Sequence, residues 1–86
     1  MANNTKNQAL PPYISNEIKK AMIDIDVKTE QLGSDATGRA WRYRLSHPGR
    51  MTIEDFLYLC DRLYVDPGEV MTNAREALNR ASRRRR

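Results

Sequence analysis

The last third of the chain leaves little choice of fold. Thr52 stands where a helix cap is wanted, with Glu54 and Asp55 in the turn that follows. Ile53, Phe56, Leu57, Cys60, Leu63 and Tyr64 then recur at helical spacing and predict a wide apolar stripe. Asp66-Pro67-Gly68-Glu69 supplies a cap, a proline at the first helical position and an acid at the third, which starts a further helix. Its apolar positions Val70, Met71, Ala74, Ala77, Leu78 and Ala81 lie on one side. Two stripes joined by so short a turn must be buried against other elements, and 86 residues supply one core to do it.

The same signals recur upstream. Ser15 is placed to cap a first helix, with Glu17 in its first turn and Ile14, Ile18, Ala21, Met22 and Ile25 along one face. Residues 1–12 are polar, rich in Asn and closed by Pro11-Pro12, so they are expected to form a disordered arm. Between Met22 and Leu45 two versions compete. In the helical one, Asp26 caps a short second helix with Val27 and Leu32 inside, ended by Gly33. Ser34-Asp35-Ala36 turns, and Thr37 caps a third helix over about 37–46, whose Trp41 and Leu45, four apart, face inward. His47-Pro48-Gly49 ends that helix. In the other version, Ile23, Ile25 and Val27 alternate with polar residues, as do Trp41, Tyr43 and Leu45. That pattern makes a β-hairpin at about 22–45 and an α+β fold, with Trp41 and Tyr43 as stacking platforms for RNA bases. The first version gives an all-α domain of five helices over residues 13–81, followed by a basic, disordered tail at 82–86.

Charge says what such a domain meets. Residues 36–50 carry four arginines and no acid, residues 51–74 one basic and five acidic groups, and residues 75–86 six basic and one acidic. Uneven charge of this kind steers a protein toward an anionic polymer. The acid-free segment holds Arg39, Arg42, Arg44 and Arg50 together with the single Trp and the single His. It is read as a reading head for duplex DNA. Arg39, early on the outer side, is suited to guanine O6 and N7. Arg42 and Tyr43 are placed for a second base or the sugar-phosphate, and Arg44 and Arg50 for phosphate. Thr37 and the first amides of the helix suit a phosphate oxygen, and His47 is a loop residue placed to touch one.

Other classes find no support. Cys60 sits within an apolar run and reads as a core residue. No second His or Cys lies near His47 to build a metal site. No phosphate loop, nucleophile motif or paired carboxylate suggests an enzyme or calls for a cofactor. No apolar run is long enough for a membrane span, and no signal-peptide core leads the chain, so a cytoplasmic protein is expected.

The segment RYRLSHPGRMTIEDFLYLCDRLYVDPGEV resembles the second half of a phage-repressor-like (XRE, Cro-type) helix-turn-helix domain. The likeness is good over roughly Trp41 to Val70 and weaker upstream, where Val27-Lys28 stands in place of the usual Leu-Ala pair and Gly38 occupies the second helical position. The resemblance implies a small phage or prophage transcription regulator, a repressor type that binds operators as a homodimer. Thr37 would match the cap that touches phosphate, Arg39 and Tyr43 the base-reading positions, and Trp41 and Leu45 the anchors. A dimer face is expected on the last helix, at Val70, Met71, Ala74 and Leu78. The alternative is a phage-type protein that binds a protein partner on the same scaffold, as an antirepressor or an inhibitor.

Overall fold

In a computed structural model, which describes residues 2–33 and 37–84, the chain forms helices joined by tight turns. Helix α1 runs Ala2–Asp24, α2 Gly38–Ser46, α3 Ile53–Arg62 and α4 Pro67–Arg84, with single 3-10 turns at Thr29–Gln31 and Pro48–Arg50. No strand occurs among the described residues, so the all-α version holds and the hairpin at 22–45 does not form. Ile23 and Tyr43 of the alternating pattern lie on the exposed sides of α1 and α2. The expected turn at Ser34-Asp35-Ala36 and the last two arginines of the expected tail lie outside the described residues, while the first three residues of that tail, 82–84, continue the last helix.

The second expected helix is reduced to one turn. Asp26 is not its cap: at φ 56° it is the left-handed residue that closes α1, and the Val27 amide reaches back to Met22 O at 2.9 Å. Tyr64, at φ 60°, closes α3 in the same way, with the Val65 amide on Cys60 O at 2.9 Å. Only five residues separate Asp26 from Leu32, too few for a helix once the first closing motif is complete. The chain therefore makes its 3-10 turn over Thr29–Gln31, where Gln31 Oε1 accepts from the Lys28 amide at 2.8 Å.

Helix α1 also begins earlier than expected. Residues 2–12, read as an arm, form its first turns, and Pro11 and Pro12 lie inside it. A proline fixes φ near the helical value but lacks the amide and crowds the carbonyl four residues back, so α1 carries Pro11 and Pro12 at the cost of the bonds to the Asn7 and Gln8 carbonyls and of that crowding. Ser15 is consequently no cap. It is buried, and its hydroxyl donates to Leu45 O at 2.6 Å, joining α1 to the end of α2.

The core collects Ile18 and Met22 of α1, Leu32 at the end of the first 3-10 turn, Trp41 and Leu45 of α2, Leu59, Cys60 and Leu63 at α3, and Val70 of α4. The stripe of α3 is rotated from the expected one. Leu59 is buried and Phe56 half-buried, while Ile53 and Leu57 face outward and Tyr64, at the left-handed position, is 83% exposed. Helix α4 packs along α1 and touches α3. Val70, Ala74 and Leu78 are buried and Met71 half-buried, so most of the apolar side expected as a dimer face is covered within the chain. Both later caps are as expected: Thr52 Oγ1 accepts from the Asp55 amide at 3.0 Å, and Asp66 Oδ2 from the Glu69 amide at 2.9 Å. Cys60 is a core residue. Burial, with the Asp66 carboxylate adding to it, pushes its thiol up to about 11, so it stays protonated at neutral pH.

Candidate nucleic-acid interface

Helix α2 is fixed from inside by its cap and two anchors. Thr37 Oγ1 accepts from the Ala40 amide at 3.2 Å, satisfying one of the free amides of the first turn. Trp41 and Leu45 are 1% and 4% exposed. The indole N–H of Trp41 donates to Gly33 O at 3.0 Å, and its ring stacks on Tyr58 with centroids 5.6 Å apart.

The 3-10 turn beside α2 is held just as firmly. Three successive carbonyls at its end each accept from a side chain: Gln31 O from Arg62 Nη2 at 2.8 Å, Leu32 O from the Tyr58 hydroxyl, and Gly33 O from Trp41. Gly33 is left-handed at φ 83°. Gly38 is the second special glycine, because a Cβ there would stand 2.9 Å from Glu30 Cγ and 3.0 Å from Glu30 Cα. The glycine at the start of α2 is thus explained: it lets the 3-10 turn lie directly against that helix.

With the inner face occupied, Arg39, Arg42 and Tyr43 are exposed on the outer side, as the spacing predicted. The segment is free of acids in sequence but not in space. Arg42 Nη1 donates to Glu30 Oε2 at 2.8 Å and to Thr29 Oγ1 at 3.2 Å. Arg44, half-buried, lies 4.8 Å from the Trp41 ring centroid and 3.5 Å from Asp55 Oδ1. The Glu30 carboxyl is held below its ordinary range, first by its own backbone amide and then by the Arg42 side chain. Among the described residues, Arg39 and Arg50 make no ion pair.

His47 closes α2. Its Nδ1 lies 3.0 Å from Tyr43 O, a carbonyl that can only accept, so Nδ1 is the donor of that contact. The ring stacks on Tyr43 with centroids 4.1 Å apart, and Arg50 follows, exposed, in the second 3-10 turn. Thr37, Arg39, Arg42, Tyr43, His47 and Arg50 are all exposed. Arg44 is the exception, turned partly toward Trp41 and Asp55.

The residues missed from sequence are Thr29, Glu30, Tyr58 and Arg62, which hold the turn and Arg42. Gly38 was their one available signal, since a glycine early in a helix often marks a close backbone approach. Among the described residues no cluster of three or more His, Cys, Asp or Glu could hold a metal ion, and no helix is long and apolar enough to cross a membrane. No family model, curated protein or solved structure matches the chain.

Proposed function

We propose that the chain binds duplex DNA by laying α2 in the major groove, as a small cytoplasmic transcription regulator of the phage-repressor-like helix-turn-helix type rather than an enzyme. One observation carries the reading. Burial of Trp41 and Leu45 makes α2 a rigid rod whose outer side carries Arg39, Arg42 and Tyr43. A helix fits the major groove, and a guanidinium there can donate two parallel bonds to guanine. In this reading the first helix of the motif has shrunk to the Thr29–Gln31 turn, which still buttresses the reading helix. Thr37, His47 and Arg50 at the ends of α2 suit phosphate contacts, which set register without reading sequence.

Regulators of this type pair on half-sites about one helical turn apart. Because α1 covers α4, a homodimer here has to meet elsewhere, and the outward Ile53, Leu57 and Tyr64 offer the apolar surface for it. The same three residues favour the second reading, a protein partner, as does the neutralisation of Arg42 and Arg44 by acids of neighbouring elements.

Selection of bound sequences from random duplex DNA at two salt concentrations tests the first reading. A shared motif is expected. Arg39→Ala should abolish the preference at one position or more, while Arg50→Ala should weaken binding to all sequences and lower the salt slope by about one. Recovery of no motif, together with binding insensitive to either substitution, would favour the protein-partner reading.

A further inference from the structure

Arg42 is tied to the 3-10 turn by a closed set of hydrogen bonds. Glu30 Oε2 and Thr29 Oγ1 both accept from its Nη1, and the Thr29 hydroxyl in turn donates to Glu30 Oε1 at 3.2 Å. Both acceptors belong to a turn that Arg62, Tyr58 and Trp41 clamp from behind, and that reaches α2 only because Gly38 lacks a Cβ. An arginine on an exposed helix face ordinarily samples many rotamers, and binding has to order it. Here one end of the guanidinium is already anchored. The donors on Nη2 and Nε lie in the same rigid plane, so the direction of that remaining fork is set before any ligand arrives.

The carboxylate has a second consequence. It is exposed beside the outer face of α2. A negative charge there repels phosphate whatever the base sequence. An oriented fork, by contrast, favours only the duplex that places two acceptors in its plane. Specificity is a difference of affinities, and the two effects widen that difference from both sides.

We propose that Glu30 and Thr29 are positioning residues that make Arg42 the guanine-reading side chain of α2, and that the Glu30 carboxylate also restrains sequence-independent binding to DNA. The inference rests on the duplex-DNA reading above. It moves the main base-reading role from Arg39, the sequence candidate, to the arginine that the fold holds in place.

The test measures binding by the full chain to three duplexes: a selected site, the same site changed at the base pair whose preference is lost in Arg42→Ala, and an unrelated sequence. Glu30→Ala is expected to tighten binding to the unrelated duplex several-fold while lowering discrimination between the first two by up to about fivefold, the ceiling for ordering by an exposed ion pair. Glu30→Gln, which keeps an acceptor, should tighten the unrelated duplex as much and retain most of the discrimination. Melting temperatures should match the wild type, since the pair is exposed. Equal changes on all three duplexes, or a preference that survives Arg42→Ala at every position, overturn the inference and leave the DNA reading intact. Wild-type protein that binds none of the duplexes overturns that reading, and the inference with it.

Discussion

Replacing Trp41 by alanine is expected to remove a large share of the stability of the domain. The side chain is 1% exposed, and truncating a buried Trp costs about 3–5 kcal/mol. The whole fold of a chain this size is worth only about 5–15 kcal/mol. The loss reaches beyond one cavity: the indole bond to Gly33 O, the Tyr58 stack and the seat of the Arg44 guanidinium go together. Thermal unfolding followed by circular dichroism should show a midpoint lowered by at least about 12 °C, at about 4 °C or more per kcal/mol for a domain of this length. Trp41→Phe keeps a ring in the core and loses the indole donor, so it should fall between alanine and wild type. Alanine tolerated with a shift of a few degrees would mean that α2 is seated by something other than its indole.

Gly38→Ala should destabilise the protein even though alanine is the better helix former. The propensity gain is about 1 kcal/mol at an interior position and less at the first turn. Against it stands a Cβ 3.0 Å from a backbone atom of Glu30, a crowding that typically costs about 1–3 kcal/mol. The turn cannot swing away freely, because Arg62, Tyr58 and Trp41 hold its carbonyls. A net loss of about 1–2 kcal/mol is expected in chemical denaturation. Displacing the turn also moves Glu30 and Thr29 away from Arg42, so discrimination between duplexes should fall together with stability. A higher unfolding midpoint in Gly38→Ala would falsify the close approach.

What the sequence made legible was local. Thr37, Thr52 and Asp66 cap helices within three residues of themselves, and the four-residue spacing of Trp41 and Leu45 defines an inner face without further context. What it hid depends on contacts between distant segments. Glu30 lies 12 residues before Arg42, and Asp55 lies 11 after Arg44, so an interval without acids in the chain acquires two in space. Ser15 shows the same limit, because a hydroxyl that looks like a cap is spent on a carbonyl 30 residues away. The stripe of α3 was misplaced for a related reason. Its apolar residues outnumber the positions a small core can cover, and only packing decides that Leu59 goes in while Ile53 and Leu57 stay out. The side of α4 was read correctly as apolar and wrongly as spare, since α1 extends far enough to cover it.

Backbone amide chemical shifts of the full chain, followed during titration with duplex DNA, show whether α2 is the surface that meets the groove. The largest changes are expected on residues 37–50, with a second set at Thr29 and Glu30, while those of the buried face of α4 stay small. Changes confined to the C-terminal arginines, or centred on Ile53, Leu57 and Tyr64, would rule out α2 as the helix that enters the groove.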